Sequence, residues 1–168
     1  MISGLLFLAA LAALPQASLA HARTEFHFTV DLDYVHAAPL FGAWEEQKWA
    51  PEFKPEFLYP MPPKDQEGAV FRVQKGEHSS LWVNTLFDLP GGRVQYVYVL
   101  ADRLVTRIDI HLSKNGDHKT DVAVIYERTA LISEANQHVQ RLAEDDARSG
   151  DAWRDAINAC AARMKAGH

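Results

Sequence analysis

Between Phe26 and Tyr34 apolar and polar residues alternate. Phe26, Phe28, Val30, Leu32 and Tyr34 take one face, and His27, Thr29, Asp31 and Asp33 take the other. A period of two predicts a half-buried strand. From Ala38 to Trp49 the pattern is helical: Leu40, Phe41, Trp44 and Lys48 share a face, and Pro39 suits a first turn. Five prolines between Pro51 and Pro63 then forbid a long helix and predict an extended, rigid segment carrying Phe53, Phe57 and Tyr59. Strand-like runs follow at Ala69–Val73, Ser80–Leu89, Arg93–Leu100, Arg103–Leu112 and Lys119–Leu131. Turn chemistry separates them at Pro90-Gly91-Gly92, Ala101-Asp102 and Asn115-Gly116. Connectors this short join antiparallel neighbours. From about Ser133 the chain turns helical, with Val139, Leu142, Trp153, Ile157, Cys160 and Met164 on one face. Ser149-Gly150 is a point at which this helix can break in two. The order predicts an α+β fold: a curved antiparallel sheet of about six or seven strands around a long C-terminal helix, with a cavity between them.

The first twenty residues stand apart. Residues 1–20 carry no charged side chain; the apolar run Leu5 to Leu14 is followed by Pro15 and by Ala17-Ser18-Leu19-Ala20. That order predicts a signal peptide over 1–20, cut before His21 or before Arg23, and an exported domain over 21–168 in the periplasm or the medium. The apolar run is too short to span the ~30 Å of a bilayer core, and no basic amphipathic helix follows, so no stable membrane insertion is expected after cleavage. A net charge of −5 in 168 residues lacks the basic face a nucleic-acid binder needs. Cys160 is the single cysteine. It forms no internal bridge and reads as a small core residue. Packing alone must hold the fold.

The ordered set of short motifs resembles the START-like superfamily, also called SRPBCC, and within it a branch of small bacterial proteins of unassigned function. The resembling residues are Pro39-Leu40-Phe41, Trp49-Ala50-Pro51, Pro55-Glu56-Phe57-Leu58-Tyr59-Pro60, Gly68-Ala69-Val70-Phe71 and Trp82. Val94-Gln95-Tyr96-Val97, Thr120 with Tyr126-Glu127-Arg128-Thr129-Ala130-Leu131, and Trp153 with Ile157 complete the set. Phe53 stands where the resemblance leads us to expect a second Trp. The resemblance implies a helix-grip fold with a ligand-sized cavity. It implies no particular reaction, because the superfamily includes carriers and cyclases.

Candidate chemistry centres on the aromatics. Trp49, Phe53, Phe57, Tyr59, Phe71, Trp82, Tyr126 and Trp153 are candidates to line the cavity, since aromatics give rigid apolar walls with an occasional polar handle. The plainer reading places them in the core. On Arg103–Leu112, Leu104, Thr106, Ile108, Ile110 and Leu112 share one face and Arg107, Asp109 and His111 the other. A two-residue Ala101-Asp102 turn pairs Tyr98 with Val105 and Tyr96 with Arg107, which puts both tyrosines on the charged face; a register one residue different reverses this. On the last strand either Tyr126 with Val124, or Glu127 with Ile125 and Thr129, faces inward. Asp146 and Ser149 look into the cavity if the terminal helix is continuous and are loop or cap residues if it breaks.

The expected function is binding of a small apolar or amphipathic molecule, with no cofactor and no nucleic acid. One alternative is an enzyme of the cyclase or hydro-lyase type, using acid–base groups from Asp109, His111, Glu127 or Asp146. A second is a copper site at a mature N-terminal His21, whose α-amino and ring nitrogens chelate Cu(II) with help from His27 or His111. No other metal pattern is present among the eight histidines.

Overall fold

The computed structural model describes residues 18–166, so all but the last three residues of the expected signal peptide lie outside the described residues. Seven strands form one antiparallel sheet: β1 (His21–Val30), β2 (Pro55–Tyr59), β3 (Val70–Lys75), β4 (His78–Asp88), β5 (Arg93–Leu100), β6 (Leu104–Asn115) and β7 (Lys119–Ala130). Their order is β1-β7-β6-β5-β4-β3-β2. From β2 to β7 each strand therefore pairs with its sequence neighbour, as short turns require. β1 closes against β7, and β2, which begins on Pro55, takes the other edge, where a missing N–H costs no ladder bond.

Helices cover one face of this sheet. After β1 the chain makes α1 (Tyr34–Ala37), a 3₁₀ turn (Ala38–Phe41) and α2 (Ala43–Glu46). The single helix expected over Ala38–Trp49 is thus a string of short turns, and Tyr34 belongs to a helix rather than to the first strand. Two residues explain this. The Asp33 side chain accepts from the N–H groups of Val35 and His36 and starts α1 early. Gly42 is extended, at φ −77° and ψ 144°, and so interrupts the helical path.

The terminal helix is also divided, into α3 (Asn136–Asp146) and α4 (Gly150–Ala166). α3 packs on β1 and β7, and α4 packs on β1. A Cβ added at Gly150 would stand 3.4 Å from the Phe26 ring, so the small residue lets α4 start close against the sheet.

Alternation decides which side chains meet the helices. Leu104, Thr106, Ile108, Ile110 and Leu112 on β6, and Thr120, Val122, Val124, Tyr126, Arg128 and Ala130 on β7, are all buried. Of the alternatives at Tyr126-Glu127, the inward choice is Tyr126 with Val124, and Arg128 follows it by the same period. The main core joins Ile108, Ile110, Leu112, Val122, Val124 and Tyr126 to Leu40, Phe41, Trp49, Phe71, Ile157 and Cys160, and Leu104 and Ala130 form a smaller cluster with Ala135 and Val139.

The β5–β6 hairpin corrects one expected register. Leu100 pairs with Leu104, so the loop has three residues, Ala101-Asp102-Arg103, with Asp102 at φ 51°. A left-handed residue in a three-residue loop is a favoured hairpin solution. Tyr98 consequently faces Thr106, and Tyr96 faces Ile108. Both tyrosines point to the inner face, away from Arg107, Asp109 and His111.

Candidate ligand cavity

A cavity of about 610 Å³ lies between the sheet and α2, α3 and α4. Its floor consists of two neighbouring rows on the inner face. One runs Trp82–Tyr98–Thr106–Arg128 across β4 to β7, and the next runs Asn84–Tyr96–Ile108–Tyr126. The roof comprises Glu46 from α2, Phe53, His138, Leu142 and Asp146 from α3, and Trp153 from α4. Exposed Lys75, His78 and Asp145 mark the rim, between the β3–β4 hairpin and α3.

The aromatic candidates divide between wall and core. Phe53, Trp82, Tyr126 and Trp153 line the cavity. Trp82 stacks on Tyr98 with ring centroids 4.2 Å apart, and Phe53 meets Trp82 edge-on at 5.8 Å. Trp49, Phe57 and Phe71 do not line it: they are buried behind the wall. The Trp49 indole donates to the Leu40 carbonyl at 2.7 Å and its ring lies 5.1 Å from Trp153. Tyr59 is 56% exposed at the β2 edge, outside the cavity. The edge strand carries Phe57 inward and leaves the end of its own run in solvent.

Two polar groups that matter here escape composition-level reading. Arg128 is 5% exposed and Asp146 is 8% exposed. They form a two-pronged ion pair, Nε to Oδ2 at 2.6 Å and Nη2 to Oδ1 at 2.8 Å. Nη1 also donates to the Tyr98 hydroxyl and, at 2.9 Å, to Thr106 Oγ1. The guanidinium lies 4.5 Å from the Tyr126 ring centre. Burial works against its charge, and the Asp146 carboxylate and the flanking tyrosines outweigh that, so its pKa is raised. The expectation for Asp146 tied an inward position to a continuous helix. The helix breaks after Asp146, and the residue faces inward nonetheless, because it is the last residue of α3 rather than part of the break. Ser149 is used differently: its hydroxyl donates to the Asp145 carbonyl and its own carbonyl starts α4. The period-two rule from Tyr126 to Arg128 is the signal that locates the arginine.

At the other end of the cavity stands Glu46. Its carboxyl makes no hydrogen bond among the described residues, and burial, with Asp65 nearby, pushes its pKa up to about 8. Asp65 is itself raised by burial, offset by N–H donors from Trp44 and Glu45. Tyr96, raised first by burial and then by Asp65 and Glu46, donates its hydroxyl to the Phe41 carbonyl at 3.0 Å. The Tyr126 hydroxyl has no hydrogen-bond partner among the described residues; burial, then the Asp146 charge, raise its pKa. Burial, with Arg103 and Arg141 nearby, lowers the His138 pKa at the rim.

The groups on the outer face are arranged otherwise. Arg107 bridges Asp109 at 3.0 Å and Glu127 at 3.2 Å, in a network turned away from the cavity. His111 and His27 flank Ala123 on the same outer face. His21 donates or accepts through Nδ1 to Thr129 at 2.9 Å, and His27 lies six residues further along β1, about 20 Å away. His111 is level with His27, so neither residue reaches His21 and the copper arrangement is not assembled. No cluster of metal-binding side chains occurs among the described residues.

No family model matches the chain, and no curated protein matches it. Solved structures do. Norcoclaurine synthase from Thalictrum flavum superposes with a TM-score of 0.64 at 14% identity, covering 86% of this chain and 96% of that one. A putative uncharacterised protein from Rhizobium leguminosarum gives 0.62 at 10% identity, over 87% and 97% of the two chains. A hypothetical protein from Helicobacter pylori gives 0.61 at 10% identity, over 93% and 98%. The chain has the helix-grip fold of the START-like (SRPBCC) superfamily. At these identities the likeness carries the fold.

Proposed function

We propose that this protein is an exported START-like domain that binds a small apolar or amphipathic molecule between its sheet and its C-terminal helices. The observation that carries the reading is the cavity of about 610 Å³ with Phe53, Trp82, Tyr126 and Trp153 in its wall. That volume suits a small organic ligand, and burial contributes about 25 cal/mol per Å² of apolar surface removed from water. Norcoclaurine synthase, which has the same fold, has been crystallised in complex with dopamine and hydroxybenzaldehyde. The export part rests on the charge-free segment 1–20, with its apolar run, Pro15 and small residues ahead of His21.

Native mass spectrometry of protein recovered from the producing cells should show a retained small molecule, and titration with the neutral dye Nile red should be saturable. Ile108 sits in the middle of the floor, so Ile108→Phe should reduce dye binding several-fold while the protein stays folded. A dye titration unaffected by this substitution, with no retained ligand, would overturn the reading. Cell fractionation and mass measurement of the mature N-terminus test export; a full-length cytoplasmic product would remove that part.

A second reading, an acid–base enzyme of the cyclase or hydro-lyase type, is favoured by one observation. Titratable groups do face the cavity beside tyrosines. Asp146 is held on both oxygens by Arg128, which ties it to a structural role. Glu46 remains as the group free to exchange a proton.

A further inference from the structure

The cavity's polar groups differ in what the fold has already given them. The Arg128 guanidinium is committed to Asp146, Tyr98 and Thr106. The Tyr96 hydroxyl is committed to the Phe41 carbonyl. Three groups are left without a hydrogen-bond partner among the described residues: the Asn84 side-chain oxygen beneath the floor, and the Glu46 carboxyl and the Tyr126 hydroxyl, which line the cavity. Glu46, from the roof, lines the same cavity as Tyr96 and Tyr126 of the floor. Its charged neighbour is Asp65, of the same sign.

We propose that Glu46 is the recognition group of the cavity and that its ligand is a small aromatic amine, cationic in solution, whose ammonium pairs with the Glu46 carboxylate. This rests on the reading of the cavity as a ligand site. The chemistry selects among three ligand classes. An anionic ligand would face Glu46 and Asp65, and the one cation on the floor is already neutralised by Asp146. A neutral ligand can accept a hydrogen bond from the protonated carboxyl but cannot form the stronger charge-assisted pair. An ammonium group supplies the counter-charge through a charge-assisted hydrogen bond, in a cavity whose wall includes the Trp153 ring. Its aromatic body fits the wall made by Phe53 and Trp82. In the empty site burial holds the carboxyl protonated at neutral pH; the ammonium draws that proton off into solvent on pairing.

The test uses three molecules of one shape: tryptamine, tryptophol and indole-3-acetate, titrated calorimetrically into the mature protein at neutral pH. Tryptamine should bind at least tenfold more tightly than the other two. Glu46→Gln should bring tryptamine down to the affinity of tryptophol and leave tryptophol unchanged. A Glu46→Gln variant that keeps the preference for the amine overturns the assignment. Should that variant fail to fold, the wild-type ranking decides alone, and tryptophol or indole-3-acetate binding as well as tryptamine overturns it. In those cases the cavity reading stands, because a ligand still binds. If none of the three binds and Nile red is also not taken up, both fall together.

Discussion

The two ends of the cavity handle buried charge in opposite ways. At one end Arg128 meets a carboxylate delivered by α3, a tyrosine from β5 and a threonine from β6, so the guanidinium enters the interior fully partnered. At the other end Glu46, delivered by α2, has no ion-pair partner among the described residues, and burial beside Asp65 pushes its pKa up to about 8. Burial presents the same problem at both ends, since a charge removed from water must be paired or neutralised. Pairing gives a rigid structural element. Neutralisation leaves a group whose charge can still be recovered, which is what a binding site requires.

Breaking the paired end should have the largest effect. Asp146→Ala leaves Arg128 charged and buried, and should cost about 3–5 kcal/mol in denaturant unfolding. Replacing both partners, Arg128→Met with Asp146→Leu, should restore most of that. A loss under about 1 kcal/mol in the single variant would contradict the account of this end.

The wall and the core behind it offer a second contrast. Trp49 is packed on all sides, and Trp49→Ala should cost about 3–5 kcal/mol. Trp82 already borders open space, so Trp82→Ala should cost less, on the order of 2 kcal/mol, and weaken Nile red uptake instead. Equal losses at the two positions would mean that the cavity is filled.

At the unpaired end the prediction concerns pH. A carboxyl whose folded-state pKa is raised to about 8, against an ordinary 4.5, favours the folded state fully below pH 4.5. That contribution is lost as pH rises through 8, because folding then requires burial of a charge the unfolded chain keeps in water. The wild type should therefore lose stability relative to Glu46→Gln between pH 5 and pH 8.5, on the order of 2–4 kcal/mol. Asp65, Tyr96 and Tyr126 face the same carboxyl, and all are present in both proteins. Parallel stability curves for the two would remove the unpaired charge from the picture.

The smallest effect belongs to the outer face. Arg107 is 47% exposed and water screens its bridge to Glu127, while Asp109, though buried, keeps the Gln95 side-chain amide as a donor. Arg107→Ala should change the midpoint of unfolding by less than about 1 kcal/mol, in contrast to the interior ion pair.

Much of this was legible in the residue pattern, and the reasons for the rest are physical. Strands β3 to β7 fall where alternation and turn residues put them. The inner face of β6 follows from Ile108 and Ile110 alone. Tyr126 was one of two alternatives, and the choice became fixed only by what packs above the sheet. The tyrosines of β5 went to the wrong face in the expected register because a two-residue and a three-residue turn differ by one residue, and one residue inverts a strand. Glu46 gave no signal at all: on an isolated helix it is one acidic residue beside another, Glu45.

By itself, then, the sequence determined which segments are extended, which are helical, and which side of most strands is apolar. Those properties belong to a residue and its near neighbours, and period and turn chemistry express them. Only the tertiary structure decided that Asp146 lies against Arg128, eighteen residues away, and that Glu46 has no ion-pair partner among the described residues. A side chain's pattern fixes the direction in which it points from its own backbone. What stands opposite is contributed by another element, through packing between segments distant in the chain, and in this fold that difference separates a partnered interior charge from an unpaired carboxyl.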